Sequence, residues 1–167
     1  KSVGLMQVEE LGAVETPILL TNTFAVPACA RALIDLAIEA NPAIGRATST
    51  VNPVVLECND GYLSDIRARA LTEVHAFAAL DAAASGPVAE GAVGAGTGMS
   101  AFGFKGGIGT ASRRFDLDGV AHTLGLLALA NFGNAGDLVL PDGRRPAPPE
   151  AKPQAERGSV ILVIATD

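Results

Sequence analysis

The spacing of apolar positions predicts two strands and a helix in the first part of the chain. Residues 14–21 and 51–57 are short, mostly apolar runs that are typical of buried strands. Between them, apolar side chains recur every three or four positions from Pro27 to Asn41. Proline suits the first turn of a helix, and Asn41 precedes a second proline, which disfavours the helical backbone at that residue. The order predicted is therefore strand, helix, strand.

A second helix is predicted from Ser64 to Gly86. Serine is a preferred N-cap residue, and glycine commonly ends a helix. Between these two residues one stripe of the helix is apolar, formed by Ile66, Ala70, Val74, Phe77 and Ala78. The rest of the surface carries most of the charged side chains, as expected for a helix with one buried face.

The middle of the chain is rich in glycine, and two β-rich runs begin at its end. Nine of the 19 glycines lie in residues 86–109, which argues against a helix there. Runs at 107–115 and 119–132 predict strands, and Asp116-Leu117-Asp118-Gly119 between them predicts a hairpin turn. Helix is the competing interpretation of residues 120–133, where Leu and Ala dominate. The hairpin signal favours strand.

The composition changes sharply at residue 141. Residues 141–157 contain five of the ten prolines and seven charged side chains, so we expect an exposed, flexible linker. The next segment, residues 159–166, contains six consecutive apolar residues, most of them β-branched. This run predicts a central, buried strand.

Composition and charge exclude several classes of protein. With 49% hydrophobic and 18% charged residues, the chain is too apolar for a disordered protein. Its net charge of −6 argues against a nucleic-acid partner. No apolar run approaches the roughly 18 residues of a membrane span. Cys29 and Cys58 cannot form a disulfide scaffold and have no metal-like spacing. So few cysteines favour a reducing compartment such as the cytosol.

The sequence motifs give little support for a nucleotide-binding site or for catalytic or metal-binding histidines. The segment from Gly94 nearly fits a dinucleotide fingerprint, but the last glycine position is Met99. The GFKGG sequence around Lys105 lacks the Gly-Lys-Ser/Thr of a phosphate-binding loop. His75 and His122 have neither ligand nor triad spacing, so we interpret both as ordinary packed or surface histidines.

Two polar residues at predicted strand ends are candidates for chemistry. Glu57 opens the cluster ECNDGY, in which Asn59, Asp60 and Gly61 are explained by turn formation, whereas Glu57 is not. A carboxylate at this position could hold a substrate ammonium group. Asn131 ends the second β-rich run; it is either a turn residue or an amide donor to a developing oxyanion.

The junction between Gly158 and Ser159 has the composition of a self-cleavage site. A flexible linker delivers a glycine to a hydroxyl nucleophile at the first position of a strand. Attack of the Ser159 hydroxyl on the Gly158 carbonyl would give an ester, and hydrolysis would free an α-amine of pKa about 7.7–8.0. Such an amine can act as the general base for its own hydroxyl. An ordinary junction between linker and strand is the simpler interpretation of this dipeptide alone.

Five segments taken together resemble a known family. In chain order they are LLTNTFAV, ECNDGYLSDIR, GAGTGMSAFGFKGGIGTASR, ANFG and GSVILVIATD. This series resembles the L-aminopeptidase/D-esterase and β-peptidyl aminopeptidase family, the DmpA- and BapA-like peptidases, from about Leu19 to Asp167. The resemblance implies an α/β fold, an αββα sandwich of the type also found in ornithine acetyltransferases. It implies release of N-terminal L-, D- or β-amino acids from short peptides, amides or esters, without cofactor or metal.

The resemblance also implies roles for individual residues. Ser159 matches the nucleophile, Asn131 the oxyanion-hole asparagine, and Glu57 the acid that holds the substrate's amino group. Asn59 stands where well-known members have an aromatic hydroxyl, so its part in substrate binding is open. Self-cleavage after Gly158 is implied as well.

The resemblance further implies how the chain is divided. Residues 1–158 would belong to a larger subunit, residues 159–167 would be the first strand of a smaller one, and processed pairs would form a homo-oligomer. The family's further catalytic serine and glutamate lie well beyond Ser159, and its opening strands precede Lys1. We therefore expect these 167 residues to be an incomplete sandwich.

Two other functions stay open at this point. An ornithine-acetyltransferase-like acyltransferase would share the fold and the self-cleavage, but usually with a threonine nucleophile. A non-catalytic relative that acts as a binding module would fit the unusual Asn59.

Overall fold

The computed structural model describes residues 2–148 and 158–167, in two compact units. The first unit combines Lys1–Glu57 with Asp65–Gly86, and the second combines Cys58–Ser64 with Pro87–Asp167. Of the linker predicted at 141–157, residues 149–157 lie outside the described residues. Residues 141–148, which are described, are mostly exposed.

The first unit contains a three-stranded sheet and three helices. Its elements are β1 (Ser2–Val3), α1 (Leu5–Leu11), β2 (Ile18–Asn22), α2 (Val26–Ala40), β3 (Val54–Cys58) and α3 (Glu73–Asp81), and the sheet order is β1-β3-β2. The core of the unit joins β2, α2, β3 and α3 through Leu19, Cys29, Ala32, Leu33, Val55 and Ala76. Both predicted strands are thus found, although each is shorter than expected.

Helix α2 confirms the prediction made from periodicity and proline. Pro27 lies in its first turn, and the helix ends before Asn41, whose backbone is extended. Cys29, Ala32 and Leu33 are buried, so the apolar stripe faces the core. Elements β1 and α1 were not anticipated, and α1 buries none of its residues.

The predicted helix from Ser64 to Gly86 is wrong in extent. A 3-10 turn at Ile66–Ala68 ends at Arg69, whose backbone is left-handed with φ of 47°. The helix itself begins only after Thr72, which forms a reciprocal capping box with His75, and it ends at Asp81. The stripe identified from the sequence therefore spans two elements, because a left-handed residue cannot continue a right-handed helix.

The second unit is built on antiparallel strands. It contains β4 (Ser100–Ala101), β5 (Phe104–Lys105), β6 (Gly107–Leu117), β7 (Val120–Asn131) and β8 (Ser159–Thr166). Strands β4 and β5 form a small hairpin, and the larger sheet has the order β6-β7-β8. The strand interpretation of residues 120–131 is confirmed, and the helix alternative is wrong.

The turn between β6 and β7 follows the predicted chemistry. Asp118 and Gly119 both have positive φ, 53° and 80°. Two successive positive φ values are what a two-residue type I′ hairpin turn requires. The Asp116 carboxylate accepts a hydrogen bond from the Gly119 N–H at 2.9 Å, which closes the turn.

Strand β8 differs from the expected central, buried strand. It pairs with β7, and no other strand among the described residues pairs with it. Ile161 is buried, whereas Val160, Leu162 and Ile164 are 49%, 55% and 62% exposed. Alternate residues of a strand point to opposite faces. One apolar face of β8 is therefore covered and the other is open within the described part of the chain.

Candidate active site

The end of β7 lies beside the beginning of β8, and this pairing brings two predicted site residues together. Asn131 is the register partner of Ser159 in the antiparallel ladder. Asn131 is 3% exposed, and Ser159 is partly buried. An antiparallel ladder places the last residue of one strand opposite the first residue of the next, so the ladder itself positions the pair.

The side-chain amide of Asn131 is held at both ends. Its Oδ1 accepts a hydrogen bond from the backbone N–H of Ser100 at 3.1 Å, and its Nδ2 donates to the carbonyl oxygen of Asn59 at 2.7 Å. A donor on the oxygen side and an acceptor on the nitrogen side together define which way the amide faces. The amide is therefore preorganised inside the protein.

Asn59 contacts the Asn131 amide through its backbone. Its carbonyl accepts from Asn131, while its side-chain oxygen accepts from the N–H of Gly61 at 2.8 Å. The second contact closes the Asx turn expected from the sequence.

Gly158 packs tightly against the residues that follow β7. A Cβ atom added at Gly158 would overlap the carbonyl oxygen of Asn131 and the backbone of Phe132, closer than real Cβ atoms come. Phe132 is itself held by an edge-to-face contact with Phe102, with ring centroids 5.1 Å apart. The position before Ser159 thus accepts a glycine and no larger residue without a backbone shift.

The glycine-rich segment lies against the same strand end. A Cβ atom at Gly106 would overlap the carbonyl oxygen of Ala130, the neighbour of Asn131. Gly106 also donates its N–H to Met99 at 2.8 Å. Glycine at this position lets the segment approach β7 closely enough for Ser100 to reach Asn131. Ser100 was not identified from the sequence; its signal was the GTGMSAFGFKGG block.

Glu57 lies in the first unit, near the end of β3, and is 3% exposed. Its carboxylate accepts a hydrogen bond from the hydroxyl of Thr23. Thr23 begins a 3-10 turn, Thr23–Ala25, which is capped by the Asn22 side chain accepting from Ala25 N–H at 2.9 Å. Thr23 was also missed, although the segment LLTNTFAV that contains it had been singled out.

The two histidines have local roles. His75 belongs to the capping box of α3. His122 stacks on Phe115 and lies 3.4 Å from the Asp167 carboxylate. Across residues 2–148 and 158–167, no group of three His, Cys, Asp or Glu side chains could hold a metal ion, and no helix is long and apolar enough to cross a bilayer.

The chain is similar to known peptidases along its whole length. The model of peptidase family S58 matches residues 1–167. The beta-peptidyl aminopeptidase BapA of Sphingosinicella xenopeptidilytica is 38% identical over 179 residues, a match that covers 98% of this chain and 44% of BapA. The chain thus spans under half the length of this relative.

Solved structures are also similar over 100% of the chain. The PH0078 protein from Pyrococcus horikoshii OT3 has a TM-score of 0.87 and 47% identity, and the match covers 46% of it. The L-aminopeptidase D-Ala-esterase/amidase from Ochrobactrum anthropi has a TM-score of 0.87 and 36% identity, with 47% covered. The latter is described as a prototype for the serine aminopeptidases and a new variant among the Ntn hydrolase fold. The resemblance and the α/β fold class expected from the sequence are confirmed.

Proposed function

The chain belongs to peptidase family S58, and we propose that it carries the nucleophile and the oxyanion-binding amide of a self-processing serine aminopeptidase. The observation that carries this proposal is the pairing of Ser159 with Asn131 at one end of the sheet. A nucleophile type and a preorganised amide donor are thereby neighbours, which is the arrangement that acyl transfer requires.

Self-processing is the first proposed reaction. The Ser159 hydroxyl oxygen attacks the carbonyl carbon of Gly158, the C–N bond to Ser159 breaks, and the nitrogen takes up the hydroxyl proton. Water then hydrolyses the resulting ester. The products are a chain that ends at Gly158 and a chain that begins with the free α-amine of Ser159. The close packing of Gly158 on Asn131 and Phe132 supports this site, since it restrains the carbonyl beside the nucleophile.

The second proposed reaction is hydrolysis of an amide or ester substrate. The free α-amine of Ser159 accepts the hydroxyl proton, and the oxygen attacks the substrate carbonyl. An Asn side chain has two Nδ2 hydrogens. One of those of Asn131 goes to Asn59, and the proposal assigns the other to the oxyanion. The intermediate then collapses: the bond between the carbonyl carbon and the leaving amine or alcohol breaks, and the leaving group takes the proton held by the α-ammonium. Water hydrolyses the acyl-enzyme that remains on Ser159.

Glu57 is proposed to bind the substrate's free amino group. An aminopeptidase must recognise an ammonium, and a carboxylate does so through a charge-assisted hydrogen bond. Burial of Glu57 and its hydrogen bond from Thr23 support this role, because they hold the carboxylate in one orientation. Asn59 is proposed to contribute to substrate binding as a neighbour of Glu57 in the chain.

The subunit division is part of the same proposal. Residues 1–158 belong to a larger subunit, residues 159–167 form the first strand of a smaller one, and the pairs assemble into a homo-oligomer. Short peptides, amides and esters are the proposed substrates. BapA and the Ochrobactrum enzyme are both named as aminopeptidases, which favours peptidase activity over acetyl transfer.

Mass spectrometry of the intact gene product tests the proposal. We expect two chains separated between Gly158 and Ser159, and one uncut chain for Ser159→Ala. The processed protein should hydrolyse aminoacyl p-nitroanilides or short β-peptides, but not their N-acetylated forms. A Ser159→Ala protein that is still cut after Gly158, or a processed protein that leaves the whole panel intact, would overturn it.

A further inference from the structure

We propose that Lys105 is a positioning residue for Asn131, acting through the glycine-rich loop of residues 94–106. Its ammonium holds this loop in the conformation in which Ser100 can orient the Asn131 amide. The effect on catalysis rests on the function proposed above, whereas the effect on the loop does not.

The ammonium of Lys105 is surrounded by backbone carbonyl groups. Its Nζ donates to Gly96 O at 2.7 Å, to Met99 O at 3.0 Å and to Gly106 O at 2.7 Å. A lysine ammonium has three N–H donors and no acceptor, so these carbonyls match its full donor capacity. Burial lowers the pKa of Lys105, consistent with an ammonium that has exchanged part of its water for these carbonyls.

This arrangement accounts for the GFKGG sequence. A phosphate-binding loop presents backbone N–H groups to an anion, whereas here backbone carbonyls converge on a cation. Three carbonyl oxygens directed at one point repel each other, and a positive charge between them removes that repulsion. Lys105 is thus a cross-link between the two halves of the loop.

One of the carbonyls bound by Lys105 belongs to the residue next to Ser100, which contacts Asn131. Met99 accepts from Lys105 and also from the Gly106 N–H, and its neighbour Ser100 donates its own N–H to Asn131 Oδ1 at 3.1 Å. Met99 and Ser100 are 1% and 4% exposed, so little water is available to replace a lost contact. Loss of the Lys105 ammonium would remove one of the two hydrogen bonds described for the Met99 carbonyl, which leaves this carbonyl and the adjoining Ser100 N–H less restrained.

Without the Ser100 hydrogen bond, the Asn131 amide keeps its contact with Asn59 but loses the restraint on its oxygen. It can then turn away from the position that stabilises an oxyanion. A small misplacement of such a donor is costly, because oxyanion stabilisation depends on preorganisation. Substrate binding through Glu57 does not use this amide, so the loss should appear in kcat rather than in KM.

The test compares Lys105→Met, which removes the charge and the donors, with Lys105→Arg, which keeps both. It uses the intact gene product and hydrogen exchange at the Ser100 amide. We expect Lys105→Met to exchange at this amide at least about tenfold faster than the parent protein, as local opening of the loop allows. The exchange rate of the Ser100 amide in Lys105→Arg should lie between those of the parent protein and Lys105→Met. Unchanged exchange at Ser100 in folded Lys105→Met would overturn the proposal.

A double-mutant cycle with Asn131→Ala gives the catalytic readout. In the parent background Lys105→Met should lower kcat about tenfold or more, with KM changed by less than about twofold. In the Asn131→Ala background the same substitution should have little further effect, since the group it positions is gone. Equal losses in both backgrounds would mean a merely structural role and overturn the proposal.

The outcomes separate this inference from the proposed function. A parent protein that neither self-cleaves nor hydrolyses substrate contradicts the proposed function, while exchange at Ser100 still tests the role of Lys105. Should Lys105→Met not fold, Lys105→Gln, which retains two N–H donors, replaces it in both experiments. Lys105→Gln removes the positive charge and one of the three donors, so parent-like exchange and kcat for this variant would then overturn the inference.

Discussion

The hydroxyl of Thr23 donates a hydrogen bond to the Glu57 carboxylate across 34 positions of the chain. Thr23 is placed by the 3-10 turn that follows β2, and Glu57 by its position in β3. A carboxylate as deeply buried as that of Glu57 needs hydrogen-bond donors in place of the water it has lost. The LLTNTFAV segment therefore has a physical role next to the residue proposed to bind the substrate ammonium.

Replacing Thr23 with valine tests this relationship. Valine has nearly the same shape but donates no hydrogen bond, so the Glu57 carboxylate loses one restraint. A hydrogen bond to a charged group contributes about 1.5–3 kcal/mol, and we expect KM for an aminoacyl p-nitroanilide to rise about tenfold or more. Steady-state kinetics should show no such rise for the analogue that lacks the amino group.

Thr23→Ser is the matched control, because it keeps the hydroxyl and removes only a methyl group. It should retain a KM close to that of the parent protein. Equal KM values for Thr23→Val and Thr23→Ser, or an equal rise for substrates with and without the amino group, would contradict the assignment.

Gly158→Ala should strongly slow self-cleavage. The added Cβ atom overlaps the carbonyl of Asn131 and the backbone of Phe132, so the Gly158 carbonyl, which Ser159 is proposed to attack, must shift. A displacement of about 1 Å can cost roughly 100-fold in rate, and we expect uncut chain to accumulate accordingly in a mass-spectrometric time course.

Gly125→Ala serves as the control for that substitution. An added Cβ at Gly125 in β7 meets only the Ala165 carbonyl, at an ordinary 3.8 Å. This variant should be processed at the parent rate. Parent-like processing of Gly158→Ala would show that the packing at Gly158 has no part in the reaction.

Asn131→Asp should abolish most activity while nearly preserving the shape of the side chain. A carboxylate cannot donate, and it would place an oxygen against the Asn59 carbonyl, now 2.7 Å from Nδ2. Loss of one oxyanion donor costs about 10²–10³ in kcat. Asn134→Ala, at an exposed asparagine three residues later, should retain parent kinetics. A kcat for Asn131→Asp within about twofold of the parent would remove Asn131 from the mechanism.

The Cys29 thiol should make the protein less stable in alkali. Burial raises the pKa of Cys29, the negative charge of Glu73 adds to this, and a hydrogen bond from Thr21 opposes it. Above about pH 8.5, the ordinary value, the unfolded chain loses the thiol proton while the folded chain keeps it. The folded state then binds more protons, so the free energy of unfolding falls as pH rises through this range.

Urea denaturation at a series of pH values checks this prediction. Between about pH 8.5 and the folded-state pKa, the free energy of unfolding should fall less steeply for Cys29→Ala than for the parent. Below pH 7 the two curves should run parallel, offset only by the lost packing. Parallel curves across the whole alkaline range would contradict it.

Local signals in the sequence predicted several elements correctly. Helix α2 was identified from its apolar spacing and from Pro27, and the β6–β7 hairpin from Asp118-Gly119. In each case the residues that determine the conformation lie within a few positions of one another. The prediction of one helix from Ser64 was wrong because apolar spacing does not reveal a single residue with left-handed backbone. Arg69 is such a residue, and it separates the 3-10 turn from the helix.

The residues around the candidate site required more than local signals. Ser159, Asn131 and Glu57 were singled out by their positions at predicted strand ends and by the motif resemblance. Thr23 and Ser100 were not identified, and Lys105 was considered only in the phosphate-loop comparison. These residues matter because of the groups to which they are hydrogen-bonded, and no local sequence pattern specifies those groups.

The sequence by itself determined the type and approximate place of the elements that carry Asn131 and Ser159, because periodicity and turn chemistry act between near neighbours. Only the tertiary structure decided what surrounds the Asn131 amide: a donor 31 residues away at Ser100 and an acceptor 72 residues away at Asn59. Strand register and close packing of glycine backbone create those contacts, and both are properties of segments brought together by folding.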